Sequence, residues 1–315
     1  MQYALRKRVL VTGGAGFLGS HLCKRLLDEG YDVLCVDNFF TGTRDNILQL
    51  LDNPRFELQR HDITFPLYVE VDEIFNLACP ASPIHYQFNP VQTTKTSVHG
   101  AINVLGLAKR VKAKVFQAST SEVYGDYDGV MVEDVPHMHA IRQLNDYAIS
   151  KWVNETQILN TADRHATETV RVRLFNTYGP GEYYSEYRSV ICQFVYRALH
   201  YMPYTVYLDH HRTSSYIDDT SRTLANVTDN FVAGEVYNIC GDEYHGIKML
   251  SDMILAYVGK DDNLVAYEQV EEHNTRDKKS DNSKARRDLK HEATVSLDKG
   301  IRQTIDWQKA VYKIE

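Results

Sequence analysis

The stretch RVLVTGGAGFLGSHLCKRLLDEGYDVLCVDN, residues 8–38, constrains the fold of this chain more than any other. It begins with a β-rich run and continues with three glycines at GxxGxxG spacing, Gly13, Gly16 and Gly19. Leucines at helical spacing follow, and a second β-rich run ends at Asp37. The pattern predicts a strand, a glycine turn, a helix and a second strand, which together form a dinucleotide-binding unit.

The chemistry of a dinucleotide explains why the elements need this order. The N-terminus of a helix carries unpaired N–H groups and positive partial charge, which suit a pyrophosphate. Asp37 can accept hydrogen bonds from both ribose hydroxyls of an adenosine and would repel a 2′-phosphate, so we predict NAD rather than NADP. The alternative is a glycine-rich turn without a ligand, but the flanking strands and Asp37 favour NAD.

β-rich runs and helical patterns continue to alternate through the first half of the chain. This alternation predicts a parallel, doubly wound sheet whose ligands bind at the carboxyl ends of the strands. The further predicted strands are 55–63, 73–78, 114–118 and 170–179. Asp62, Ala78 and Ser119 fall at such strand ends, and Glu122 lies just beyond one, so we expect all four to face the binding crevice.

Tyr147 and Lys151 form a YxxxK pair in the stretch NDYAISKWVNE. Positions four apart share one face of a helix, so the lysine ammonium is expected to lower the pKa of the tyrosine. Such a tyrosine acts as a base on a substrate alcohol while hydride leaves for NAD. Thr120 is the hydroxyl expected to hydrogen-bond the reacting oxygen. The alternative is an amphipathic helix whose tyrosine is packed inward.

Composition excludes several classes of function. The chain has 315 residues, which suits one large domain or two closely joined ones. Its formal net charge is −7 and it has no basic stripe, so nucleic-acid binding is not expected. The five cysteines show no CxxC and the histidines no HxH or HExxH, so we expect neither a disulfide framework nor a metal. The N-terminus resembles neither a signal peptide nor a membrane span, and a cytoplasmic location is expected.

Six motifs together resemble the extended short-chain dehydrogenases/reductases that act on nucleotide sugars. They occur in the order TGGAGFLGSHL, NLACPASP, TSEVYGD, YAISK, FNTYGP and RTSSYIDD. The GxxGxxG spacing is also typical of short-chain dehydrogenases/reductases. The resemblance covers nearly the whole chain, and within the family the first 126 residues are most similar to the UDP-glucuronate decarboxylases, above all in LACPASP.

The resemblance implies an architecture and a set of partners. The fold would be a Rossmann-type doubly wound parallel sheet in residues 1–180, with a smaller C-terminal α/β substrate-binding domain in residues 181–315. A segment near 212–240 would return to the main sheet. The protein would hold NAD tightly, act on a UDP-sugar or another nucleotide sugar, and form a homodimer.

The resemblance also implies site residues, position by position. The catalytic set would be Thr120, Glu122, Tyr147 and Lys151. The residues that contact NAD would be Gly13, Gly16, Phe17, Leu18, Gly19, Asp37, Asn38, Asp62, Ile63, Leu77, Ala78, Tyr147 and Lys151. The residues near the nucleotide sugar would be Lys95, Asn103, Asn176, Arg188, Tyr207, Arg212 and Arg276.

The resemblance implies a reaction that begins with transient oxidation at C4 of the sugar. A third acid or base at Glu122 then favours chemistry at C5 or C6, so our preferred prediction is decarboxylation of UDP-glucuronate to UDP-xylose. Departures from the decarboxylase pattern keep an NDP-hexose 4,6-dehydratase and a 4-epimerase open. YAIS stands before Lys151 instead of an acidic-glycine sequence, Ser97 replaces an asparagine, and residues 181–211 are unusually rich in tyrosine. An NAD-sensing binding protein is the alternative outside the enzymes.

Overall fold

The computed structural model describes residues 6–271 and 274–314 and contains a central sheet of seven parallel strands. The sheet order is β11-β6-β5-β4-β1-β2-β3. Its strands are β1 (Arg8–Thr12), β2 (Asp32–Asp37), β3 (Phe56–Arg60), β4 (Glu73–Asn76), β5 (Lys114–Thr120), β6 (Thr169–Leu174) and β11 (Val236–Ile239). The order reverses between β1 and β4, which is where doubly wound folds place their ligands. The predicted fold class is therefore confirmed.

Helices cover both faces of this sheet. The helices of the described residues, some of which pack in the C-terminal part instead, are α1 (Phe17–Asp28), α2 (Pro83–Phe88), α3 (Pro90–Val111), α4 (Val135–Met138), α5 (Asp146–His165), α6 (Val190–Leu199), α7 (Ile217–Asn226), α8 (Ile247–Val258), α9 (Ser283–Leu289) and α10 (Leu297–Tyr312). Successive side chains of a strand point to opposite faces. In β1, Val9 and Val11 accordingly pack with Leu22 of α1, whereas Leu10 packs with Val104 of α3. Burial on both faces explains why the central strands β1 and β2 carry consecutive apolar residues, Val9–Val11 and Val33–Val36.

A second hydrophobic core lies in the C-terminal part of the chain, where α6, α8 and α10 pack together. Short strands border it: β7 (Thr177–Tyr178), β8 (Tyr204–Tyr207), β9 (His211–Thr213), β10 (Ser215–Tyr216), β12 (Tyr244–Gly246), β13 (Val265–Glu268) and β14 (Asp277–Lys278). β11 pairs with β6 of the main sheet, so the C-terminal half contributes one strand to the first core. The domain boundary at residue 180 remains a prediction. Within the described ranges, no helix is both long and apolar enough to cross a bilayer.

Candidate active site

One cavity of about 890 Å³ runs from the glycine turn to the C-terminal strands. Its volume is in the range of ligand-binding cavities. The predicted site residues that line it are Gly13, Gly16, Phe17, Leu18, Gly19, Asp37, Asn38, Ile63, Leu77, Ala78, Thr120, Glu122, Tyr147, Lys151, Asn176, Arg188, Tyr207 and Arg212. The fold therefore brings most of the predicted cofactor, catalytic and substrate residues to one space.

The glycine turn between β1 and α1 is shaped to admit a phosphate group. Gly13 has a φ of +71°, and a Cβ atom on it would lie 3.0 Å from the backbone of Ala78. A Cβ atom on Gly19 would lie only 2.2 Å from the Gly13 carbonyl oxygen. Gly16 occupies the N-cap of α1 and has no side chain to cover the first N–H groups of the helix. The turn thus presents unpaired N–H groups to the cavity, as a pyrophosphate requires.

Asp37 is buried at the end of β2, where the backbone fixes the direction of its carboxylate. One carboxylate oxygen accepts from the Ala15 N–H at 3.0 Å and the other from the Phe39 N–H at 2.8 Å. Burial raises the pKa of Asp37, and these backbone hydrogen bonds oppose that shift. Each oxygen keeps a further lone pair, so the carboxylate fits a ribose diol.

Four predicted contact residues lie outside the wall of the cavity. Asp62 accepts a hydrogen bond from Asn38 at 3.1 Å, and Asn103 donates to the Ile63 carbonyl oxygen at 2.8 Å. Asp62 and Asn103 therefore support neighbours that do line the cavity. The other two residues, Lys95 and Arg276, are exposed.

Tyr147 and Lys151 are buried one turn apart on α5, which begins after the capping side chain of Asn145. The Lys151 ammonium donates to the Ala118 carbonyl oxygen at 3.0 Å and lies 5.7 Å from the centre of the Tyr147 ring. The structure does not show the predicted lowering of the Tyr147 pKa. Burial raises the pKa of Tyr147, and a hydrogen bond with the Thr120 hydroxyl opposes that shift.

Glu122 lies in the single turn of 3₁₀-helix that follows β5, and its carboxylate forms a buried ion pair with Lys278. Burial raises the pKa of Glu122, but the charges of Lys278 and Arg212 outweigh burial and hold it below its ordinary value. Lys278 of β14 pairs in register with Arg212 of β9, so the two cations are neighbours on adjacent strands. Sequence reasoning missed Lys278, because RDKKSD offers two adjacent lysines and no sign of which one is buried.

Tyr86 is a second residue that the sequence did not indicate. Its ring stacks on that of Tyr147, with centres 5.3 Å apart and planes within 4°. The side chain is only 2% exposed and lines the cavity. Its hydroxyl has no hydrogen-bond partner within the part of the chain that the structure describes. Tyr86 thus brings a second phenol, buried and without such a partner, to the same end of the cavity as Glu122.

Two of the predicted substrate arginines line the cavity but are held by backbone carbonyl groups. Arg212 donates to the carbonyl oxygens of His211 at 2.8 Å and Arg276 at 2.6 Å. Arg188 donates to the carbonyl oxygens of Thr41 at 2.8 Å and Tyr183 at 3.0 Å. Neither guanidinium forms a carboxylate ion pair within the described residues, although the charge of Arg212 acts on Glu122, so both can bind an anionic ligand.

The family model described as the NAD dependent epimerase/dehydratase family matches residues 9–240. The chain belongs to this family, whose members are NAD-dependent enzymes, and the family and cofactor predictions are confirmed. UDP-glucuronic acid decarboxylase 1 of Arabidopsis thaliana is 38% identical over 300 residues, covering 94% of this chain and 68% of that protein. UDP-glucuronic acid decarboxylase 6 of the same plant is 39% identical over 306 residues, covering 93% and 86%.

Solved structures of sugar-nucleotide enzymes share the whole fold. UDP-glucuronic acid 4-epimerase from Bacillus cereus, in complex with UDP-glucuronic acid and NAD, is 27% identical with a TM-score of 0.87, covering 97% of this chain and 100% of that chain. DesIV, a dTDP-glucose 4,6-dehydratase from Streptomyces venezuelae with NAD and TYD bound, is 26% identical with a TM-score of 0.88, covering 96% and 97%. An epimerase and a dehydratase therefore have the same architecture as this chain.

Proposed function

We propose that this enzyme decarboxylates UDP-glucuronate to UDP-xylose through transient oxidation at C4 of the sugar. One observation carries the proposal: the buried phenol of Tyr147 and the buried cations Lys278 and Arg212 line the same cavity. The phenol suits proton transfer at an alcohol, and the cations suit a carboxylate. The similarity to UDP-glucuronic acid decarboxylases over more than nine-tenths of the chain supports the same substrate.

The cofactor end of the cavity would bind NAD through the glycine turn and Asp37. NAD held there would supply an acceptor for hydride from C4, a donor for its return, and the positive charge of the oxidised ring. Tyr147 would take the C4 hydroxyl proton and afterwards give it back. Thr120 would orient the phenol through its hydrogen bond, and Lys151 would favour the phenolate by its charge.

The sugar end of the cavity would carry out the second stage. A ketone at C4 makes the C6 carboxylate part of a β-keto acid, so the C5–C6 bond breaks and its electrons form an enolate as carbon dioxide leaves. Lys278 and Arg212 would hold the carboxylate in place before that step. Because Glu122 and Lys278 form a buried ion pair, they can deliver a proton to C5 of the enolate.

Dehydration of an NDP-hexose is the second candidate, and the same ion pair favours it. Glu122 could remove the C5 proton while the Lys278 ammonium protonates a hydroxyl that leaves C6. The residues Ala148, Ile149 and Ser150 between Tyr147 and Lys151 are also closer to the dehydratase and epimerase pattern. A 4-epimerase would need neither step.

A panel of UDP-, GDP- and dTDP-sugars, followed by mass spectrometry of the products, tests these candidates. Loss of carbon dioxide from UDP-glucuronate is the expected result. Loss of water would indicate a dehydratase, and an unchanged mass with altered retention an epimerase. Tyr147→Phe should reduce turnover by about 10²- to 10⁴-fold. If the protein binds NAD but converts no sugar in the panel, it is a binding protein and the proposal is wrong.

We also propose that the protein is a homodimer that pairs through α3 and α5. These two helices pack side by side and expose apolar side chains, among them Ile102, Ile149 and Val153. A contiguous exposed apolar face is typical of an interface. Ile149→Asp should shift the sedimentation coefficient from that of a dimer to that of a monomer, whereas Lys109→Asp at the exposed C-terminal end of α3 should not. The cytoplasmic location remains a prediction.

A further inference from the structure

Three aromatic side chains from separate segments meet in the wall of the cavity. Phe40 follows β2, His85 lies in α2, and Tyr187 lies in the tyrosine-rich segment before α6. The ring centres of Phe40 and His85 are 5.0 Å apart, and those of His85 and Tyr187 are 5.9 Å apart. The ring planes cross at 75° and 83°, the edge-to-face geometry in which aromatic pairs attract. His85 is therefore the central ring of a row that spans three segments.

Arg188 joins two of the same segments directly. Its guanidinium donates to the Thr41 carbonyl oxygen in the loop after β2, at 2.8 Å. It also donates to the Tyr183 carbonyl oxygen within its own segment, at 3.0 Å. The hydrogen bonds donated by the charged guanidinium and the contacts between the rings therefore both link the loop after β2 to the segment before α6.

A second cavity of about 340 Å³ lies on the other side of this contact. Phe40, Thr41, Tyr187 and Arg188 line both cavities, whereas Tyr183 lines only the smaller one. The four shared residues are therefore the partition between the two spaces. If these four residues moved apart, the two cavities would join, and a ligand in the larger cavity could leave through the smaller one.

The dinucleotide end of the large cavity lies beneath this partition. The loop that carries Phe40 continues from Asp37, and the Thr43 N–H donates to the Ala15 carbonyl oxygen of the glycine turn at 3.1 Å. A Cβ atom on Gly42 would lie 3.0 Å from an Asp37 carboxylate oxygen. The loop thus packs on the carboxylate and the turn that fit an adenosine ribose and a pyrophosphate.

We propose that Phe40, His85, Tyr187 and Arg188 form a clasp that retains NAD through the catalytic cycle. The inference rests on the proposed function, in which hydride leaves the sugar and returns to it, so the cofactor must stay bound between the two transfers. Within the clasp, Phe40, His85 and Tyr187 are positioning residues, because they act through the loop after β2 that packs on Asp37 and the glycine turn.

The test is the rate at which enzyme-bound NAD exchanges with an excess of isotopically labelled NAD, measured without any sugar. Tyr187→Ala should raise that rate about tenfold, because it removes one edge-to-face contact and part of the partition. Tyr187→Phe keeps the ring and should exchange at the wild-type rate. Tyr183→Ala is the matched control: it removes a tyrosine of the same segment that lines only the outer cavity, and it should not change the rate.

Two failures of this experiment are distinguishable. If the wild-type protein binds no NAD, both the proposed function and the clasp are wrong. If the protein holds NAD, but Tyr187→Ala and Phe40→Ala release it as slowly as the wild type, the clasp alone is wrong. Circular dichroism identifies a variant that fails to fold, in which case the other of these two variants decides the test.

Discussion

Two buried carboxylates, Glu155 and Glu122, show how differently one chain uses the same group. Glu155 lies on α5 and accepts from Arg173 through both oxygens, at 3.0 and 2.8 Å, and from the Ser119 hydroxyl. Arg173 also donates hydrogen bonds to the Tyr124 hydroxyl and to the Glu133 carbonyl oxygen. Glu155 and Arg173 lie outside the cavity, although Ser119 lines it, and the two charges match each other in geometry.

Glu122 has a different kind of partner. Its carboxylate meets the ammonium of Lys278, a compact charge without the planar fork of an arginine, and both side chains line the cavity. The pKa of each carboxyl group lies below its ordinary value, with burial opposing the shift in both. A lowered pKa therefore does not separate a structural carboxylate from a reactive one. Access to the ligand space separates them.

The largest effect on stability is expected for Glu155→Gln, which leaves Arg173 buried without its counter-charge. We expect the free energy of unfolding to fall by about 3 to 5 kcal/mol, measured by urea denaturation. Glu168→Gln is the control, because Glu168 is exposed and 3.8 Å from Lys114, a surface pair worth about 1 kcal/mol or less. Equal losses for the two variants would contradict the view that the buried network is structural.

Glu122→Gln should have the opposite pattern, with a large effect on turnover and a small effect on stability. We expect turnover of UDP-glucuronate to fall by about 10²- to 10³-fold, because the variant breaks the Glu122–Lys278 ion pair on which protonation at C5 depends. Oxidation at C4 should still occur, seen as reduced cofactor that accumulates on the enzyme. Unfolding free energy should fall by less than in Glu155→Gln, because Lys278 lines the cavity whereas Arg173 does not. Full turnover by this variant would remove Glu122 from the mechanism.

The contrast also marks what the sequence could predict. Glu122, Tyr147 and Lys151 were predicted because local patterns reveal them: TSEVYGD follows a strand, and YxxxK spans one helical turn. The seven-stranded sheet was predictable for the same reason, since its strands and helices alternate along the chain. Those patterns depend only on residues that are close together in the sequence.

Lys278 and Tyr86 could not be predicted in this way. Lys278 reaches Glu122 across 156 positions through the pairing of β14 with β9, and no local periodicity encodes that pairing. The unpartnered hydroxyl and stacked ring of Tyr86 depend on where α2 packs against α5. Arg276, which we predicted to contact the nucleotide, is exposed, whereas Lys278 two positions later is buried.

Acid should weaken both carboxylate regions. A carboxyl group whose pKa is lowered by folding contributes stability at pH values above its unfolded pKa, and that contribution is lost as pH falls through its folded pKa. Glu155 and Glu122 are both such groups, so the unfolding free energy should decline from about pH 4.5 downwards. Glu155→Gln should flatten this decline, as measured by urea denaturation at several pH values. An unchanged slope would contradict the assignment.

The smallest effect is expected for Lys278→Arg, which tests the difference between the two ion pairs directly. The variant gives Glu122 the kind of partner that Glu155 already has, so stability should be unchanged or slightly higher. Turnover should nevertheless fall about tenfold, because a guanidinium does not give up a proton and fills more of the cavity. Lys279→Arg, at the exposed neighbouring position, is the matched control and should match the wild type. Wild-type turnover in Lys278→Arg would mean that Lys278 supplies only charge. Proton delivery would then have to come from Glu122, and the two buried ion pairs would differ in access rather than in chemistry.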